Sequence, residues 1–213
     1  LARSCMKAFF IAAISLLIST IISGQTVTQS EHETAEQFVS RSMPENAQLT
    51  HKVLSVKWNN SFVIMAFFEQ SYKLSQQDDP SQEEQFRIIA TMFLQTALNQ
   101  YRIIHIDSID GEGSKPVIES AFFANTDKDP ATELVLIVSW QQRHRDVNGT
   151  LYGTYVYDNL FKDAESRLTH LKKISEKLSG GCECEWSDGT HKKARFKTAA
   201  DIRTELKHMG LKQ

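Results

Sequence analysis

The sequence predicts an α+β fold, with a mainly antiparallel sheet and helices packed on one face. Three observations lead there. Runs with the two-residue period of strands are grouped in the middle of the chain. Runs with helical spacing stand before and after them, an arrangement that segregates helix from sheet. No stretch repeats at a fixed period, which sets aside a solenoid or a propeller within this one chain.

The elements follow in order. Met6 and Lys7 precede AFFIAAISLLISTII and then SGQT. A basic start, an apolar run and small residues after it make a secretory signal peptide, with cleavage expected after Gly24. The run is shorter than the roughly 20 apolar residues of a membrane span. No cysteine directly follows it to carry a lipid. Residues 1–24 are therefore assigned to a signal peptide with upstream residues, and 25–213 to a single α+β domain. The expected location is secreted or periplasmic, with no stable membrane anchor after cleavage.

A short helix is expected around Ala35, Phe38 and Val39, ended by Pro44. Leu54, Val56 and Trp58 alternate with Ser55 and Lys57, the pattern of a half-buried strand. Asn59-Asn60 suits a turn because Asn tolerates positive φ, and residues 62–68 read as the partner strand. The spacing then predicts a long helix over 80–101. Ser81 and Glu84 fit a capping box, and Phe86, Ile89, Ala90, Phe93, Leu94, Ala97, Leu98 and Tyr101 form an apolar stripe.

Strands are expected over 102–106, 116–124, 134–140 and 150–157, with Asp110-Gly111 and Gly113 in the first loop and a type I′ turn at Asn148-Gly149. A helix over 158–178 would bury Leu160, Ala164, Leu168, Leu171, Ile174 and Leu178, and Gly180-Gly181 would end it. A strand over 193–197 leads to a last helix over 198–209. Thr198 and Asp201 suit its start, Ala199, Ile202, Leu206 and Met209 its buried face, and Gly210 its stop.

Charge narrows the function. The chain carries 24 basic and 26 acidic residues, a formal net charge of −2. Without Arg3 and Lys7 the balance is near −4, with no continuous basic block, so nucleic acid is not an expected partner.

The most informative stretch is NTDKDPATEL. Asn125, Asp127, Asp129 and Glu133 place side-chain oxygens at positions one, three, five and nine, and Ala131 offers its carbonyl at seven. Calcium takes six to eight hard oxygen ligands, and alternate residues of a tight loop can wrap them around one ion. The plainer reading is a polar turn in which Asn and Asp bond to nearby backbone.

With its strand-like flanks, the stretch resembles the calcium loops of FG-GAP and VCBS-type repeats. That resemblance implies calcium as the cofactor and these four side chains as ligands. Pro130 stands where those loops have glycine, and Leu136 stands where an EF-hand needs glutamate.

Other residues invite chemistry. Cys182 and Cys184 would lie about 6.6 Å apart at Cα in a strand, near the upper end for a disulfide. They admit a redox reading, a zinc reading with His191 as the one further ligand nearby, or a plain non-catalytic bridge or pair of free thiols. His144 and Asp146 have the composition of a base and its orienting carboxylate, without any accompanying nucleophile motif. Asp107, Asp110 and Glu112 form a second acidic stretch, which could join the first in a hydrolase site. Tyr152, Tyr155, Tyr157 and Phe161 could present a sugar- or peptide-binding face.

These features imply a non-enzymatic binding or interaction module, stabilised by one calcium ion and meeting a protein or carbohydrate partner. A carboxylate hydrolase and a thiol-redox protein using Cys182/Cys184 remain open alternatives.

Overall fold

The structure is a computed structural model that describes residues 24–73, 84–158 and 168–212. Its first half forms one antiparallel sheet. The strands are β1 (Thr26–Thr28), β2 (Ala47–Leu49), β3 (Leu54–Trp58), β4 (Ser61–Tyr72), β5 (Gln85–Ala97) and β6 (Gln100–Asp110). They run in the order β1-β6-β5-β4-β2, with β3 also on β4. The second half forms another, from β7 (Pro116–Ala124), β8 (Glu133–His144), β9 (Val147–Asp158), β10 (Thr169–His170), β11 (Gly181–Trp186) and β12 (His191–Lys192). Its order is β12-β11-β9-β8-β7, with β10 also on β9. Three short helices complete the described residues: α1 (Ala35–Ser40), α2 (Lys172–Leu178) and α3 (Ala199–His208).

The two sheets pack face to face. Val63, Met65 and Phe67 of β4 and Ile88, Ala90 and Met92 of β5 meet Leu134, Leu136 and Val138 of β8. The outer face of the first sheet carries Ile64, Ala66, Phe68 and Phe93 and is covered by Phe38 and Val39 of α1. The outer face of the second carries Val135, Ile137 and Val156, under Leu178 of α2 and Ile202 and Leu206 of α3. Among the described residues, eighteen buried ones form the central layer, against nine and eight in the outer ones. The layer between the sheets is therefore the largest of the three, about equal to the two outer layers together.

The expected α+β class is thus overturned. The fold is β-rich, and its helices flank both sheets instead of packing on one face of a single sheet. The decisive segment is the predicted helix over 80–101, which is β5 and the start of β6, joined by a turn at Leu98-Asn99 with Asn99 at φ 58°. A strand covered on both faces is apolar at nearly every position. Such a run contains residues at i, i+3 and i+4 by default, and so imitates a helical stripe. Here Ile88, Ala90, Met92 and Leu94 face the opposite sheet while Ile89 and Phe93 face α1. Ser81, the expected cap, lies outside the described residues.

Three smaller corrections have similar causes. The helix expected over 158–178 begins only at Lys172, after the short strand β10, and residues 159–167 lie outside the described residues. The strand expected over 193–197 is replaced by β11 and β12, which pair with each other. The β8–β9 turn falls at Arg145-Asp146, where His144 pairs with Val147, and Asn148-Gly149 lies inside β9. Gly149 is needed there for room. A Cβ at that position would strike the Glu183 carbonyl and lie 2.6 Å from the Cys184 Cα.

Other expectations match. The 54–68 hairpin is β3 and β4, with Asn59 and Asn60 at φ 43° and 69°. Helix α3 has Thr198 as N-cap in a reciprocal capping box with Asp201. Among the described residues no helix is long and apolar enough to cross a membrane. The apolar run over 8–22 lies outside them.

Candidate metal site

Strands β7 and β8 pair at Ala124 and Glu133, so residues 125–132 form the loop between them. Its short polar side chains wind it. The Asn125 amide donates to the carbonyls of Asp129 (2.5 Å) and Ala131 (3.3 Å). Asp127 Oδ1 accepts from the Asp129 N–H (2.7 Å), and Asp129 Oδ1 accepts from the Ala131 N–H (2.8 Å). Those are the Asx bonds of a polar turn. No residue of the loop has positive φ, so Pro130 fits where the resembling loops carry glycine.

Glu133 stands apart from that pattern, for it is fully buried. Its Oε2 accepts from both the backbone N–H (2.5 Å) and the hydroxyl (2.8 Å) of Thr126, whereas its Oε1 has no hydrogen-bond partner. A carboxylate oxygen from each of Asp127, Asp129 and Glu133 lies within 4.8 Å of the other two. Burial raises the proton affinity of Glu133, the Thr126 bonds oppose that, and the charges of Asp127 and Asp158 add to the rise. Oxygen donors alone, three of them anionic, suit a hard divalent cation better than zinc, which prefers nitrogen and sulfur. Asn125, with its Oδ1 buried, and the Ala131 carbonyl are further oxygens in the same loop.

Sequence reasoning named Asn125, Asp127, Asp129, Ala131 and Glu133 as candidate ligands, of which the structure groups the carboxylates of Asp127, Asp129 and Glu133, and it missed what surrounds them. Thr126 clamps Glu133. Thr132 is held across the molecule by Trp58 and Asn59 of the β3–β4 hairpin. Asn59 was legible as a turn residue, but a partner 73 positions away leaves no local signal.

The other candidates are differently placed. Asp107 Oδ2 accepts from the Tyr157 hydroxyl (2.6 Å) and Asp110 Oδ1 from the Tyr72 hydroxyl (3.0 Å). Among the described residues, neither these carboxylates nor Glu112 joins the group around Glu133. His144 ends β8 and Asp146 lies in the exposed β8–β9 turn. Cys182 and Cys184 form a disulfide within β11, with Cα atoms 5.3 Å apart and Cys184 buried.

The tyrosines divide between two faces. Tyr155 and Tyr157 belong to the layer between the sheets and Tyr152 to the layer under α2 and α3, while Phe161 lies outside the described residues. Burial, and then the charges of Asp107, Glu112 and Asp110, push the Tyr155 hydroxyl up to about 12. His170, which sequence reasoning passed over, stacks on Tyr155 and sits 3.1 Å from the Ser175 hydroxyl.

Compared with protein-family models, with curated proteins and with solved structures, the chain finds no match.

Proposed function

We propose that this chain is an exported, non-enzymatic binding module whose β7–β8 loop holds one calcium ion. Asp127, Asp129 and Glu133 are its anionic ligands, with Asn125 and the Ala131 carbonyl as further oxygens. The observation that carries this reading is the buried Oε1 of Glu133, which has no partner and belongs to a carboxylate facing two others. A buried carboxylate is costly without a counter-charge or a full set of hydrogen bonds, and like charges nearby add to the cost. One divalent cation relieves both at once.

An ion held in a strand-connecting turn is structural. It neutralises the cluster and locks the loop onto the sheets. A weak site suffices outside the cell, where modules bind calcium with dissociation constants of about 10⁻⁴–10⁻³ M. The expected partner is a protein or carbohydrate; Asp107 and Asp110 are bonded to Tyr157 and Tyr72, and the two cysteines are bridged to each other within β11.

Thermal unfolding in calcium and in chelator tests the reading. Calcium at about a hundred times its dissociation constant adds about 2.7 kcal/mol of stability, visible as a raised midpoint. Asp127→Asn loses that shift. Superimposable curves for the unaltered protein overturn the proposal.

A further inference from the structure

We infer that Asn59 and Trp58, on the opposite sheet, are positioning residues for the metal loop, so that calcium occupancy is coupled to the junction between the two sheets. This rests on the calcium reading above.

Thr132 lies between the Ala131 carbonyl and the buried Glu133 carboxylate, and every polar group it carries is held from across the molecule. Its carbonyl accepts from the Trp58 indole N–H (2.6 Å) and the Asn59 amide (2.9 Å). Its N–H and hydroxyl donate to Asn59 Oδ1 at 3.1 and 3.2 Å. Asn59 thus grips one residue with both ends of its amide, from a left-handed backbone position at φ 43° that Asn tolerates.

Trp58 supports the other flank as well. Its buried ring packs on Phe123 at 5.0 Å between centroids, two residues before Asn125. The approach to the loop and its exit therefore both rest on the β3–β4 hairpin.

Metal ligands must be held to within about 0.5 Å of their productive geometry by the residues behind them. Releasing Thr132 frees the segment that orients both Ala131 and Glu133, and that loss is felt as calcium affinity. The coupling is reciprocal by linkage. If the hairpin's grip favours the ion, the ion tightens the grip by the same factor.

The test measures calcium affinity by titration calorimetry, with terbium(III) luminescence excited through tryptophan as a second probe. Asn59→Ala and Trp58→Phe are compared with Ile202→Val, a control that loosens packing beneath α3 on the far side of the second sheet. Both hairpin variants are expected to bind calcium about tenfold more weakly, while Ile202→Val binds as the unaltered protein does. Should Asn59→Ala fail to fold, the unaltered protein still decides the matter. Calcium should slow hydrogen exchange of the Trp58 indole N–H, read by NMR.

Unchanged affinity in the hairpin variants, or unchanged Trp58 exchange in a protein that does bind calcium, overturns this inference and leaves the metal site standing. An unaltered protein that binds neither calcium nor terbium overturns both.

Discussion

Glu133 is buried and His170 half-buried, and each is disfavoured in its charged form by that burial. The surroundings answer them differently. Glu133 has Thr126 on one oxygen and acidic neighbours around it, whose charges add to the cost of its own. His170 is packed against the rings of Tyr155 and Tyr157 and needs only to stay neutral. Burial lowers its pKa first, Asp107 and Glu176 work against that, and Lys172 adds to it. A base whose folded pKa lies below its unfolded value of about 6.5 stabilises the fold above that pH. The contribution is lost as pH falls from there through the folded pKa, because the unfolded chain takes up the proton more readily. Denaturant melts from pH 8 to pH 5 should show stability falling below about pH 6.5. His170→Asn should flatten that fall, and an identical slope in the variant would show that His170 is not its source. Asn59 adds a point at the same scale. In sequence it is a turn former, but in the structure its amide is committed to Thr132.

At the level of elements, β9 and β11 show how close pairing constrains a strand. Gly149 faces Cys184 across the ladder, beside the Cys182–Cys184 bridge, and has no room for a side chain. Gly149→Ala should cost about 1–3 kcal/mol or more, since the atoms it would strike are mainly backbone and cannot step aside. Urea unfolding measures this, and a loss under about 0.5 kcal/mol, the range of ordinary surface changes, would mean the ladder can open without penalty. The same glycine misled the turn assignment. Asn-Gly is a strong hairpin signal because it accepts positive φ, yet here glycine serves a close backbone approach and the turn falls at Arg145-Asp146. Helix α3 illustrates the opposite case. Its capping box is made by residues three apart, so Thr198 and Asp201 announced it correctly.

Among the described residues, the layer between the sheets is the largest of the three apolar layers, and β4, β5 and β8 are covered on both sides. Amides in these strands should exchange most slowly with solvent, and those of α1, α2 and α3 earlier, because short outer helices can open without breaching the central layer. Hydrogen exchange followed by mass spectrometry reads this directly. Helices protected as well as β5 would contradict the layer order. A loop anchored to both sheets should also be better protected with calcium than in chelator, which links this scale back to Thr132.

What the sequence determined by itself is what near neighbours decide. The β3–β4 hairpin, the strand over 116–124, the capped start of α3 and the alternating oxygens of residues 125–133 all depend on side chains a few positions apart. Tertiary structure alone decided that residues 85–97 are strand, that Glu133 is sealed from water, and that Thr132 is gripped by a hairpin 73 residues earlier. An apolar run has one meaning when one side is covered and another when both are. Which sides are covered depends on elements distant in the chain, and no local period records them.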